Sequence, residues 1–345
     1  MKRLTAKGVI LSGLVLVLAI AGCRRKLSPE EFAKYLKIEH TLKVHAAPVL
    51  AVAYSPDGKV LISTDAEGKI IFWNPQTGEQ IKIKSFFNDP VYQIAFSPDG
   101  KYLAFAGRGP AVLFYNPATL EPWDSFAAHS HNVLAIAWGP NRIFASASCA
   151  EKDPREFCIK GEVAVWKIEK DAARATELKR FLDHNDWVSS LAVSPNGKYL
   201  ATGGLDNVIN IYDTRTWQLL NTLQGHGARV DVLRFPPGNS ELLVSASVDG
   251  TVRFWEIPDG KQKKILKSEG SSFAAMALSP DAKMVAAGGL DQKIVIWQIK
   301  NEKVVKSLEG LEDKISSLSF SPDGAALAAG LYDHNILVWK AKRPR

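Results

Sequence analysis

The sequence predicts an all-β fold, a seven-bladed propeller of four-stranded sheets around a channel, and three observations carry that expectation. An aromatic residue ends a short β-like run seven times, at Trp73, Tyr115, Trp166, Tyr212, Trp255, Trp297 and Trp339, with spacings of 42, 51, 46, 43, 42 and 42 residues. Self-similarity at such a period marks a repeat architecture, in which each unit buries its faces on its neighbours. Earlier in each unit a Pro-containing turn joins two apolar runs, as in Ser55-Pro56-Asp57-Gly58, Ser97-Pro98-Asp99-Gly100 and Ser194-Pro195-Asn196-Gly197. Proline presets the turn's second position, and Asp/Asn-Gly accepts its left-handed residues. Residues 226–255 show the plan whole: apolar runs at 230–235, 242–247 and 251–255, separated by a Pro/Gly/Asn turn and an Asp-Gly turn, read as an antiparallel meander.

Composition agrees with a folded, core-forming chain: 345 residues, 46% apolar and 23% charged. The net charge of +7 is concentrated at the ends. Six Lys/Arg lie in residues 1–26 and four in 340–345, with no acid in either segment; the body, 27–339, is net −3. A nucleic-acid binder carries its basic footprint on the folded face, so no nucleic-acid partner is expected.

Taken in order, the chain begins with an address. Lys2, Arg3 and Lys7 precede an apolar run over 9–21 and then Gly22-Cys23. That is the layout of a secretory signal, and about 14 apolar residues fall short of the ~20 that cross a bilayer as a helix. Leu18-Ala19-Ile20-Ala21-Gly22-Cys23 resembles a bacterial lipobox, which makes residues 1–22 a lipoprotein signal peptide and Cys23 the lipidation site. A membrane held through this lipid is one expected partner, and Arg24-Arg25-Lys26 would add attraction to anionic head groups. The cell envelope is the expected location, periplasmic or surface side. Arg24 after the Cys favours the outer over the inner membrane. Residues 23–37 are the tether and a short helix: Ser28 as N-cap, Pro29 at the first position and Glu31 at the third form a capping box before Phe32, Tyr35 and Leu36. The propeller itself occupies 38–345. Its last repeat ends just after the third strand at Trp339, and residues 38–44 (IEHTLKV) mimic the outer-strand runs LLNTLQG and VVKSLEG. The N-terminal strand is therefore expected to complete the last blade and close the ring.

With the repeats in view, the chain resembles the WD40 family over about 38–340. That resemblance implies a structural tetrad linking a His before the first strand, a Ser/Thr on the second, an Asp in the next turn and the Trp ending the third. Repeat five matches with His226, Ser247 (or Ser245), Asp249 and Trp255. Repeat four matches with His184 and Asp206. Fixed offsets place Glu67, Gly109, Lys160, Asp291 and Asp333 in the acid column of the others, so the tetrad is expected to be eroded there.

Repeat three carries an insertion, 149–162, containing Cys149 and Cys158. In an exported protein these two are expected to form a disulfide bracing a charged loop, worth about 2–3 kcal/mol if formed; two free thiols are the alternative. The search for chemistry ends without a catalytic or cofactor site. His129-x-His131 lacks the companion ligands of a metal site, so no metal is expected, with His131 solvated. There is no Gly-x-Ser-x-Gly, P-loop or His-Glu-x-x-His motif. The expectation is a non-catalytic scaffold, monomeric, with no cofactor, held to a membrane and binding an unidentified protein. The alternatives are a propeller enzyme of hydrolase or lyase type, or a small-ligand sensor using the channel. In the family, partners commonly dock on the face bearing the loops before the first strand and between strands two and three. Trp187, Tyr92, Arg108, Arg229 and Tyr332 fall in those loops and are the residue types that dominate interface hot spots.

Overall fold

The computed structural model describes residues 26–85, 89–169, 174–268 and 270–342. Within them lie seven four-stranded antiparallel sheets. Blade 5 is representative: Val230–Arg234 lies innermost, followed outward by Leu242–Ser247, Thr251–Glu256 and Lys261–Lys267. The sequence explains why each strand sits where it does. Middle strands such as Leu61–Asp65 and Met284–Gly289 are buried along their whole length, because a neighbouring blade covers each face. Every such Ile, Val or Leu withdrawn from water contributes about 1.5–3 kcal/mol. Outermost strands such as Gln80–Ser85 (QIKIKS) and Lys261–Lys267 (KQKKILK) face solvent, and their lysines guard an open edge against pairing with another chain.

The turns on one side, here the lower face, behave as their residues dictate. Ser55 donates its hydroxyl to Asp57 (2.7 Å) and accepts from the Val60 amide (3.0 Å), while Gly58 takes φ 71°, where a side chain would be strained. Side chains also bridge adjacent blades. Val52 N–H donates to Ser317 Oγ at 3.0 Å, Leu233 N–H to Ser190 Oγ at 2.8 Å, and Ile136 N–H to Gln93 Oε1 at 3.0 Å.

The helix spans Pro29–Tyr35 with the expected capping box: Glu31 N–H donates to Ser28 Oγ (3.2 Å) and Ser28 N–H to Glu31 Oε2 (2.9 Å). Phe32, fully buried, packs against Phe320 at 5.7 Å in a core shared by blades 6 and 7. The ring closes as expected, with one shift in boundary. The closing strand is Leu36–Leu42 rather than 38–44, because the helix hands over to it without a spacer. It pairs with Ile336–Ala341 from Leu36↔Ala341 to Leu42↔Ile336 and is the outer strand of blade 7. Residues 1–25, which hold the expected signal peptide and Cys23, lie outside the described residues.

Removing residues 36–44 is expected to leave blade 7 without its outer strand. The product should aggregate and melt without cooperativity by size exclusion and calorimetry. A soluble monomer with one sharp transition would show the pairing to be dispensable.

Candidate functional site

Four blades are tied internally by the same polar relay. In blade 1, His45 Nδ1 bonds Asp65 Oδ2 (2.6 Å), His45 Nε2 bonds Ser63 Oγ (2.7 Å), and Trp73 Nε1–H donates to Ser63 Oγ (2.8 Å). A carboxylate only accepts, which assigns the ring proton to Nδ1 and leaves Nε2 to accept from the hydroxyl. Blade 3 repeats this with His129, Glu162 (2.6 Å), Ser146 (2.8 Å) and Trp166 (2.8 Å). Blade 5 uses His226, Asp249 (2.9 Å), Ser245 (2.7 Å) and Trp255 (2.8 Å). Blade 4 uses His184, Asp206 (3.0 Å) and Thr202 (2.7 Å), while its aromatic, Tyr212, turns its hydroxyl to Asp183 instead (3.0 Å).

Two expectations are corrected here. The relay hydroxyl of blade 5 is Ser245, not Ser247. Side chains alternate along a strand; Ser247 lies two residues beyond Ser245, at the strand's end, where its hydroxyl donates to Ala228 O at 2.9 Å and accepts from the Asp249 amide. Blades 1 and 3 are also complete rather than eroded. Their acids stand at Asp65, the last residue of the second strand, and Glu162, four residues before Trp166, so counting six back from the aromatic finds Glu67 and Lys160 and misses both. Where the hydroxyl gives way to Phe105, Ala287 or Ala329, in blades 2, 6 and 7, the packing is apolar; Phe105, for example, lies edge-on to Tyr115 at 5.0 Å.

These His, Ser and acid groups are strand ties. The side chains of His45 and Asp65 are 0% exposed, and each serine hydroxyl is already engaged by both a His and a Trp. Burial pushes the carboxyls of Asp65, Glu162, Asp206 and Asp249 up, but the His hydrogen bonds outweigh it, joined by backbone amides at the aspartates and by Arg180 at Glu162, and hold all four below their ordinary values. Arg180 adds a 2.6 Å bond to Glu162.

Above this frame, blade 3 departs from the rest. Its strands Ile143–Lys152 and Cys158–Ile168 run ten and eleven residues, against five or six in the same positions of the other blades. The excess forms a hairpin finger on the upper face, closed by a Cys149 to Cys158 disulfide with Cα atoms 5.9 Å apart. His131 is half-buried rather than free in solvent; its Nδ1 bonds the Cys149 carbonyl (2.9 Å) at the finger's base. Gly161 lets the finger lie against the loop leading into blade 4, since a Cβ there would come within 2.2 Å of Asp186 O. Trp187, in that loop, is half-buried with the Lys152 ammonium 5.9 Å from its ring centre, so it packs toward the finger of the preceding blade. At the tip, Phe157 is 64% and Ile159 49% exposed. Sequence reading singled out the charges of this loop and passed over these two; their i, i+2 spacing, with Phe157 just before the third strand and Ile159 within it, was the available signal.

The other candidates lie in or beside the upper-face loops. Arg108 lies close enough to Tyr92 to offset part of the upward push that burial gives its phenol. Arg229 Nε donates to Asp231 Oδ2 at 3.0 Å. Tyr332, 41% exposed, has Lys314 6.0 Å from its ring centre on blade 7. Tyr92 and Asp231 line a cavity of about 490 Å³ bounded by the innermost strands. Burial pushes the Asp231 carboxyl up to about 6 despite Arg229. Among the described residues no group of His, Cys, Asp and Glu is arranged to hold a metal ion, and no helix is long and apolar enough to cross a membrane.

Closed seven-blade rings, Ser-Pro-Asp-Gly turns and His–hydroxyl–Trp relays define a repeat propeller. The family described as WD domain, G-beta repeat matches residues 36–74, 80–110, 175–213, 217–256, 260–298 and 302–340, and the chain belongs to this WD40 family. Each full-length match takes the outer strand of one blade with the three inner strands of the next, which is the unit that ring closure joins. The interval between 110 and 175 contains the finger.

Ser245→Ala strands Trp255 Nε1–H and removes the partner of His226, and is expected to cost about 2–3 kcal/mol in denaturant unfolding; Ser247→Ala should cost about 1. Equal losses would remove Ser245 from the relay. The depressed carboxyls stabilise the fold above the unfolded-state values near pH 4, so the melting temperature should fall as pH drops below 4. Asp231 has the opposite sign: its raised native value favours the protonated fold, so its burden appears as pH rises through 4 to 6. Asp231→Asn should stabilise by about 1–2 kcal/mol at pH 7.5 and by nothing at pH 4, read by melting at both.

Proposed function

We propose that this chain is a lipid-anchored, non-catalytic interaction scaffold of a bacterial envelope, held through Cys23, most favourably at the outer membrane, and acting as a monomer. The observation that carries the scaffold reading is the finger. Two apolar side chains stand exposed at the tip of a hairpin braced by a disulfide, flanked by charged Lys152, Arg155, Glu156 and Lys160. Binding then orders little that is not already fixed, which is how a preorganised element gains affinity. Phe157, Ile159 and Trp187 supply the apolar and aromatic centre, and the charges supply a polar rim. The non-catalytic reading is supported by the burial of the histidine and hydroxyl of every relay. The tether reading is supported by the lipobox resemblance at residues 18–23. A second reading, a small ligand in the channel, draws on Asp231, whose shielded carboxyl lines that cavity together with Tyr92 of another blade.

Affinity capture from crosslinked native envelopes is expected to recover a stoichiometric protein with the wild-type chain and to lose it with the Phe157→Ala, Trp187→Ala pair, while the melting temperature stays within about 2 °C, as expected for surface changes. Clean, folded bait that recovers no partner in either form would overturn the scaffold reading and favour the channel.

A further inference from the structure

Ring closure joins the chain's two basic ends. The closing strand starts at Leu36 directly opposite Ala341, and Lys342 N–H reaches the Tyr35 carbonyl at 3.4 Å, so residues separated by about 300 positions leave the propeller side by side. They leave on the lower face. Lys26 and Leu27 lie against the lower turns of blades 6 and 7, at Pro280, Asp281, Asp323 and Gly324, and Lys340 Nζ bonds Gln76 in a lower turn of blade 1. Around this exit stand Lys26, Lys34, Lys303, Lys340 and Lys342. In sequence Arg24 and Arg25 precede them and Arg343 and Arg345 follow. The facing acids are Glu30, Glu31, Glu39, Asp281 and Asp323; Glu31 is spent in the capping box, Glu39 is paired to Lys342 at 2.6 Å and Asp281 to Lys283 at 3.5 Å, and Asp323 accepts from the Ala325 amide at 2.9 Å. Counting the four arginines that adjoin it in sequence, this exit carries more basic than acidic groups, whereas residues 27–339 as a whole are net −3.

We propose that this lower rim, built jointly by the two chain ends, is a docking surface for an anionic phospholipid bilayer, so that the propeller stands with its seam on the lipid and the finger of blade 3 pointing away. The occupant follows from charge complementarity and reach. A strip of basic side chains is drawn to anionic head groups within a Debye length of the surface. Five residues from Cys23 to Ser28 extend at most about 17 Å, so a lipid on Cys23 leaves the lower face no room to stand off. The anchor in this geometry rests on the tether reading above; the charged rim does not.

The test is lysine acetylation footprinting by mass spectrometry on the full-length chain reconstituted into vesicles. One set is phosphatidylcholine alone and the other contains about one third phosphatidylglycerol. Lys26, Lys34 and Lys342 are expected to react at least about fivefold more slowly on the anionic vesicles, with the difference lost near 0.5 M salt, while Lys152, Lys160 and Lys314 on the upper face react alike on both. The combined substitution Lys340→Gln, Lys342→Gln, Arg343→Gln, Arg345→Gln should return Lys26 and Lys34 to their neutral-vesicle rates with the melting temperature retained. Equal rates for the lower lysines on both vesicles, protection confined to the upper face, or stronger protection by a single-stranded oligonucleotide than by anionic vesicles would each overturn the proposal. The N-terminal peptide in the same spectra reports whether Cys23 carries lipid, so a failed tether is distinguished from a failed rim: unmodified Cys23 with the lower lysines still protected sinks the anchor and keeps the surface.

Discussion

Everything in this molecule depends on the pairing of Leu36–Leu42 with Ile336–Ala341. Each blade is apolar on both faces and has only its two neighbours to cover them. An open ring would leave one face of blade 7 and one of blade 1 in water, lined by buried residues such as Ala328, Val338, Val49 and Val52. The closing strand brings together segments some 300 residues apart, against a loop entropy that grows only logarithmically with length. Six main-chain pairings and the helix that precedes them are the return.

The helix sits where internal ties are fewest. Blades 6 and 7 have Ala287 and Ala329 where a relay hydroxyl would stand, and Phe32 enters the core shared by those two blades. Blades 3, 4 and 5 form an unbroken run of polar relays. Two kinds of support thus divide the ring: side-chain hydrogen bonds on one arc, and a capped helix with the strand seam on the other. The relays hold because each polar atom in them has a partner at hydrogen-bonding distance, without which its burial would cost rather than stabilise.

Blade number, lower turns, helix cap and closing strand were legible in the sequence because each depends on local chemistry repeated at a fixed spacing. The relays in blades 1 and 3 were not. What the fold fixes is a carboxylate beside the His Nδ1, and three backbone positions deliver it: a strand end at Asp65, a turn at Asp206 and Asp249, and a third strand at Glu162. Column counting follows the backbone and not the carboxylate. The choice between Ser245 and Ser247 failed for a related reason, since both hydroxyls share one face of the strand and only register against Trp255 separates them. Trp187 was legible as unusual, yet its setting depends on Lys152 of another blade, a contact that no local pattern encodes.

The two faces are unequal because of how the ends and the insertion are distributed. Second-to-third turns can only emerge above, so lengthening the pair in blade 3 necessarily raises its tip on the upper side. The described chain ends lie below, since the closing strand starts there and its partner Ile336–Ala341 finishes there. Stiffness follows the same division. The finger has a disulfide across its strands, a His131 bond at its base and, at Gly161, an approach to Asp186 that any side chain would block. Below, the basic side chains sit on long flexible stems at a strand end and a helix, suited to a diffuse charged surface rather than a shaped one. The rigid apolar tip and the flexible lysines of the chain ends thus stand on opposite sides of one closed ring.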